Sequence, residues 1–237
     1  MLSAIFEARP SAGRWNAYLD KVRLLRPELD QVPGFTGISL YRSLARDGWM
    51  LSLAGFEDEQ AMLRWRRLSE RNEGSANDGG ALLADRRLRA GPVAFDTGAA
   101  EAGRIAGRDI EELEASGKSA VTMIDGLQWP DWVHSRNPEE IALYLGFDPY
   151  SYGDCISWDV LDSIFSPGAI ILIASWKGLA PALDFARSAM VPDDARVRAV
   201  GDVRDYGVEG LEPVAGSPGS ARDGVGPGTI EGPANDR

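Results

Sequence analysis

The chain has 237 residues, of which 44% are hydrophobic, and this length and composition allow one large or two small domains with an ordinary buried core. Its formal net charge of −11 disfavours nucleic acid as a partner, because nucleic-acid binding depends on lysines and arginines that displace phosphate counterions. One cysteine, Cys155, and one histidine, His134, provide neither an internal disulfide nor a metal-ligand cluster, so we expect no metal site.

The N-terminal residues lack the basic stretch and apolar segment of a secretory signal. Apolar runs stay shorter than the roughly 18 residues that span a bilayer. We therefore expect an unexported, cytoplasmic protein that does not contact membranes.

The first half of the chain predicts the order strand, helix, strand, strand, helix, strand. Apolar residues recur at helical spacing from Trp15 to Leu29, and Asp47-Gly48 is typical of a tight hairpin turn. The predicted strands are Ser3 to Ala8, Phe35 to Leu44, Trp49 to Phe56 and Leu82 to Arg89, and the second helix runs from about Asp58 to Asn72.

The second half repeats this order. An offset of 120 residues aligns several pairs without gaps, namely Ser43 with Ser163, Gly48 with Gly168, and Asp85 with Asp205. The predicted strands are Ala120 to Leu127, Cys155 to Phe165, Ala169 to Trp176 and Arg196 to Tyr206, and the helices are Pro138 to Leu145 and Leu179 to Ala189. This order is the split βαβ arrangement, so we expect an α+β fold of two tandem ferredoxin-like βαββαβ units.

Composition divides the chain into four segments. We predict a first ferredoxin-like unit over residues 1–96, a linker over 97–118, and a second, degenerate unit over 119–208. Residues 209–237 are rich in glycine and proline and contain no aromatic residue, so we expect a disordered tail.

Short segments of the first half resemble the antibiotic biosynthesis monooxygenase family over about residues 3 to 90. They are Ile5-Phe6-Glu7-Ala8, Tyr18-Leu19, Leu25-Arg26-Pro27, Pro33-Gly34-Phe35, Ser43-Leu44, Leu51-Ser52-Leu53, Phe56-Glu57-Asp58-Glu59 and Trp65-Arg66. The resemblance implies a dimeric α+β barrel, here within one chain, with a pocket between sheet and helices in each unit. It also implies oxidation of an aromatic or polyketide-type molecule by dioxygen without a cofactor, through a substrate anion held in a water-poor pocket.

The same resemblance suggests four site residues in the first unit. Trp65 stands at the family's tryptophan position and would line the pocket, or would be a core aromatic residue. Arg71 stands where many members carry a histidine, and it would pair with a substrate anion or lie solvated at a helix end. Asn72 would bind a substrate oxygen or end the helix. Arg86 would clamp the anion if it faced the barrel interior, or would lie on the surface.

An aromatic concentration in the second half is a further candidate. It comprises Trp129, Trp132, Tyr144, Phe147, Tyr150, Tyr152 and Trp158, close to the single histidine. It would either roof a pocket for a flat substrate or serve as core or interface.

Three functions fit these observations. The first is a cofactor-independent monooxygenase whose partners are an aromatic small molecule and dioxygen. The second is a non-catalytic small-molecule-binding or stress-related protein on the same fold, and a homo-oligomer is open in both cases. The third, a haem-degrading monooxygenase, fits less well, because the resemblance would require an asparagine at Glu7 and a histidine at Arg71.

Overall fold

The computed structural model describes residues 1–74, 82–98, 118–128, 137–201 and 203–206. Within them the strands are β1 (Leu2–Pro10), β2 (Phe35–Ser43), β3 (Met50–Phe56), β4 (Leu83–Asp96), β5 (Ala120–Gln128), β6 (Cys155–Ser163), β7 (Ala169–Trp176), β8 (Arg196–Val200) and β9 (Arg204–Tyr206). The helices are α1 (Trp15–Leu29), α2 (Glu59–Gly74), α3 (Pro138–Tyr144) and α4 (Leu179–Ser188). Most of the predicted linker, the whole predicted tail, and His134, Trp129 and Trp132 lie outside the described residues.

Local sequence explains the two central hairpins. Gly48 and Gly168 adopt φ angles of 73° and 85° in the turns before β3 and β7. A side chain would be strained in this left-handed conformation, so glycine at both positions favours the same turn. The hairpins predicted at these glycines are present.

The strands form a closed ring of antiparallel pairings. The order is β4-β1-β3-β2 in the first half and β8-β5-β7-β6 in the second. Pairing of β2 with β6 and of β4 with β8 joins the halves at both edges, and β9 extends the sheet along β4. The ring leaves eight strands without an open edge and encloses an interior between the halves.

The two halves pair their strands in the same register. In each half one residue of the first strand stands opposite one residue of the third strand and one of the fourth. The equivalent residues are Ile5 and Met123, Leu53 and Ile173, and Arg89 and Arg198. The offset of 120 residues therefore applies to the third strands, whereas the last strands are 109 residues apart. The predicted alignment of Asp85 with Asp205 is wrong for this reason, and Asp96 is the true counterpart of Asp205.

Apolar side chains from both halves fill the middle of the ring. They are Ile5, Tyr41, Leu51, Leu53, Val121, Met123, Leu161, Ile171, Ile173, Val200 and Val203. Two further cores lie outside the ring, one beneath α1 and α2 and one beneath α3 and α4. Each strand therefore buries one face in the ring and the other under helices.

Two strands differ from their predicted bounds. β4 extends beyond Arg89 to Asp96, because the carbonyl of Pro92 and the N–H of Val93 find partners in Gly201 and Met1. The single strand predicted from Arg196 to Tyr206 is divided into β8 and β9.

None of the helices in the described part of the chain is long and apolar enough to cross a bilayer.

Candidate active site

The interior carries an acidic residue at the same position in each half. Glu7 on β1 stands opposite Arg87 of β4, and Asp125 on β5 stands opposite Arg196 of β8. Side chains alternate along a strand, so both carboxylates share the interior face with the apolar residues two positions before them. The interior therefore has two equivalent acidic ends.

Each acidic residue pairs with an arginine of the last strand in its own half. Arg89 donates from Nη2 to Glu7 Oε2 at 2.8 Å, and Arg198 donates to Asp125 Oδ2. A second pair accompanies each, with Arg87 bound to Asp205 and Arg196 bound to Asp96. Each end thus has two ion pairs, and each of these pairs has an equivalent at the other end.

Ion pairs and hydrogen bonds between protein side chains occupy the first end, which we call the closed end and define by Glu7, Arg46, Arg89, Asp159 and Ser175. Arg46, in the turn between β2 and β3, donates to Glu7 Oε1 and Asp159 Oδ2 at 2.9 Å each. Arg89 also donates to Ser175 Oγ at 2.9 Å. Burial alone would raise the pKa of Glu7, but Arg89 and Arg46 outweigh it and hold that pKa below its usual value.

The second end, which we call the open end, is defined by Ser3, Ser39, Asp125, Arg196 and Arg198. These residues line a cavity of about 320 Å³, whose apolar wall includes side chains of the first half. A cavity of this volume accommodates a small organic molecule. The open end is therefore our candidate active site.

Three buried polar atoms at the open end have no hydrogen-bond partner among the described residues. They are Ser3 Oγ, Asp125 Oδ1 and Arg198 Nε. Buried polar groups are nearly always hydrogen-bonded, so unmatched atoms on three residues that line one cavity make that cavity a candidate ligand site. Together the three atoms offer one acceptor, one N–H donor and one hydroxyl.

Burial sets the protonation chemistry at this end. It raises the pKa of Asp125, because the attraction of Arg198 does not compensate for the loss of water around the carboxylate. It also raises the pKa of Tyr41, with a further contribution from the negative charge of Asp125. The Tyr41 hydroxyl interacts with Ser39. Asp125 is consequently a stronger base than a surface aspartate.

Positive charge exceeds negative charge around the cavity. Three arginines line it, Arg26, Arg196 and Arg198, against two aspartates, Asp96 and Asp125. The open end is therefore suited to a ligand that carries a negative charge or develops one.

Two of the predicted site residues lie on the helix-covered side of the first half. Trp65 is buried and packs edge-on against Phe56, with ring centroids 5.5 Å apart. Arg86 lies on the same face of β4 as Leu88 and Ala90, whose side chains belong to the core beneath α2. Arg86 therefore does not share the interior face, where Arg89 lies.

The other two predicted residues, Arg71 and Asn72, are in the last turns of α2, and their side chains are outside the described part of the chain. The structure places Trp65 and Arg86 on one side of the sheet and brings neither to the open end. The set Trp65, Arg71, Asn72 and Arg86 remains a prediction for the helix-covered side.

Sequence reasoning missed Asp125 and Arg198. The sequence does contain a signal, because Asp125 is the one charged residue of β5, and Arg196 and Arg198 alternate with valine and alanine in β8. Charged residues at interior positions of a strand are uncommon without a partner.

Three of the aromatic residues named as a candidate pocket roof, Phe147, Tyr152 and Trp158, belong to the core of the second half. Phe147, Tyr152 and Trp158 pack around Trp176 and Phe185, with ring centroids 5.3–6.4 Å apart. Phe147, Trp176 and Phe185 are almost fully buried. Tyr144 and Tyr150 are exposed and lie outside this cluster.

Comparison of the sequence with known proteins finds one matching family and a similar fungal protein. Residues 1–74 match the family described as Antibiotic biosynthesis monooxygenase. A protein of Pyricularia oryzae strain 70-15, named Jasmonate monooxygenase ABM, is 31% identical over 180 residues, which are 75% of this chain and 82% of that protein.

Two solved structures are also similar. A candidate monooxygenase from Lactobacillus acidophilus NCFM is 10% identical with a TM-score of 0.33, covering 84% of this chain and 92% of that one. An anthrone oxidase-like protein is 11% identical with a TM-score of 0.28, covering 87% and 93%. Scores this low support no functional assignment.

Proposed function

Because the chain belongs to the antibiotic biosynthesis monooxygenase family, we propose that it is a cofactor-independent monooxygenase whose substrate binds at the open end. One observation supports this location above others. Three residues that line the cavity, Ser3, Asp125 and Arg198, each carry a buried polar atom without a partner among the described residues, and the pKa of Asp125 is raised.

The first step we propose is deprotonation of the substrate. Asp125 accepts a proton from an acidic C–H or O–H group beside a carbonyl. Arg198 donates from Nε to the oxygen on which negative charge develops, and the surrounding protein keeps this charge away from bulk water. Asp125 is neutral after this step, which its buried position favours.

Dioxygen then oxidises the anion directly. The substrate anion transfers one electron to dioxygen, the two radicals combine, and a proton completes a hydroperoxide on the substrate carbon. Loss of water from this hydroperoxide converts the original CH₂ group to a carbonyl. One oxygen atom enters the product and the other leaves as water, so no external reductant is consumed.

The substrate we propose is an enolisable carbonyl compound of aromatic or polyketide type. The excess of arginine around the cavity supports a substrate that is anionic or becomes so. The name of the Pyricularia oryzae relative refers to jasmonate, a carboxylate, and jasmonate is for this reason one of two compounds to test first.

We also propose that the two halves are tandem ferredoxin-like units that form the family's dimeric-type barrel within one chain. The equal strand order and the shared register support this interpretation. The open end and the closed end are then the two equivalent ends of one barrel.

The experiment uses the purified full-length chain after treatment with a chelator and desalting. Oxygen consumption is measured with jasmonate and with anthrone as an enolisable aromatic ketone, and products are analysed after reaction under ¹⁸O₂. We expect one labelled oxygen atom per product molecule and a loss of about 100-fold or more in turnover for Asp125→Asn. Binding without turnover of either compound would instead favour the non-catalytic alternative.

A further inference from the structure

The turns at Arg46 and Ser166 are equivalent in structure but not in side chain. The N–H of Arg46 donates to Ser43 Oγ at 2.7 Å, and the N–H of Ser166 donates to Ser163 Oγ at 3.1 Å. Each of the two residues also accepts a backbone hydrogen bond from the residue three positions later. Positions 46 and 166 therefore lie at corresponding places above the two ends of the ring.

At the closed end, the Arg46 guanidinium lies between two carboxylates, those of Glu7 and Asp159. The equivalent residues at the open end are Asp125 and Ser39. Ser166, the counterpart of Arg46, has an uncharged side chain and therefore brings no cation to Asp125. This difference in one side chain accompanies the cavity at the open end and the Arg46 ion pairs at the closed end.

We infer that the closed end corresponds in position to the open end, and that the Arg46 side chain occupies there the place that the cavity takes at the open end. The side chains at positions 46 and 166 then determine which end of the ring can bind a ligand. For the open end this inference rests on the proposed function, and for the closed end it rests on geometry alone.

The residues around Arg46 define the ligand class of the closed end. Without Arg46, the carboxylates of Glu7 and Asp159 would face one buried cation, Arg89, and would carry a net negative charge. Arg89 is only 6% exposed, and its Nε has no hydrogen-bond partner among the described residues. A planar guanidinium or amidinium ion matches this site, because its N–H groups bind two carboxylates in the geometry that Arg46 uses.

The first test is rescue of an Arg46→Ser variant by methylguanidinium chloride at pH 8, with sodium chloride and methylammonium chloride at equal concentration as controls. We expect the variant to melt below the wild type and to gain about 2–4 °C from methylguanidinium beyond the controls. The wild type should gain nothing beyond the controls. Equal responses of variant and wild type would overturn the inference.

The second test is Ser166→Arg, a change at an exposed turn residue that does not disturb the core. The new guanidinium should reach Asp125, so we expect a rise of about 2–4 °C in melting temperature and a loss of at least about 10-fold in turnover. An unchanged or lower melting temperature would contradict the equivalence of the two turns. Methylguanidinium rescue of Arg46→Ser without turnover in any variant would leave the inference standing and remove the proposed function.

Discussion

Glu7 and Asp125 occupy equivalent places on the interior face of the sheet, yet their pKa values move in opposite directions. Glu7 accepts hydrogen bonds from both Arg89 and Arg46, and its pKa is lowered despite burial. Asp125 pairs with Arg198, and burial raises its pKa. Glu7 thus accepts a hydrogen bond on each oxygen, while Asp125 Oδ1 has no partner among the described residues.

The lowered pKa of Glu7 predicts a loss of stability in acid. In the unfolded chain this carboxyl takes up its proton near its ordinary pKa of 4.5, whereas in the folded chain it does so at lower pH. The stabilisation is therefore fully present above pH 4.5 and is lost as pH falls through the folded pKa. The free energy of unfolding, measured in urea at several pH values between 7 and 3, tests this effect.

The control is Glu7→Gln, which has no proton to gain at this position. At pH 7 we expect it to reduce the free energy of unfolding by about 3 kcal/mol, because two arginines lose a buried anion. The difference from wild type should shrink as the pH falls below 4.5. A difference independent of pH would show that the ionised carboxylate does not stabilise the closed end.

The raised pKa of Asp125 predicts the pH dependence of catalysis. Only the carboxylate form acts as a base, so kcat/KM should rise with pH through the pKa of Asp125 in the free enzyme. We expect the midpoint of this limb to lie above 3.8, the ordinary value for aspartate. The limb should disappear in Asp125→Asn, and its persistence there would assign the base to another residue.

A buried hydrogen bond should stabilise the second half. Trp176 donates from Nε1 to Thr122 Oγ1 at 2.9 Å, and both side chains are buried. Thr122→Val removes the acceptor and leaves a buried N–H without it, so we expect a loss of about 1–3 kcal/mol in the free energy of unfolding.

A double-mutant cycle separates the bond from packing. Trp176→Phe removes both the donor and part of the core aromatic cluster. In the Trp176→Phe background, Thr122→Val should therefore reduce the free energy of unfolding by less than it does in the wild type. Strict additivity would mean that the hydrogen bond contributes nothing measurable.

The two locations considered for the active site predict opposite results. If the reaction occurs at the open end, Arg71→Gln and Arg86→Gln should retain turnover within about threefold, because Arg86 does not line that cavity and Arg71 belongs to α2, on the helix-covered side. If the helix-covered side is the site, either change should cost about 10-fold or more, the loss of one charge-assisted hydrogen bond. Steady-state oxygen consumption at matched folding, checked by circular dichroism, distinguishes them.

Local patterns predicted most of the fold, because each strand and helix carries its own periodicity. β7 was predicted with its correct bounds, and the turns at Gly48 and Gly168 follow from residues within three positions. The extension of β4 was missed because its last residues are ordered by β8, about 100 residues later in the chain.

The candidate site was harder to predict because its contacts are distant in sequence. Asp125 and Arg198 are 73 residues apart, and Arg46 and Asp159 are 113 apart. A constant offset of 120 residues cannot identify these partners, since the last strands of the two halves differ by 109. Only the strand register shows that Arg198 corresponds to Arg89.

The most direct test of the account compares Arg198→Gln with Arg89→Gln. The two arginines are equivalent in register and each binds a buried carboxylate, so the changes are matched in chemistry and differ only in the end of the ring they alter. We predict that Arg198→Gln reduces kcat/KM by about 10-fold to 150-fold, while Arg89→Gln, once folded, keeps it within about threefold. Equal losses in both variants, or a loss only in Arg89→Gln, would contradict the assignment of the active site to the open end.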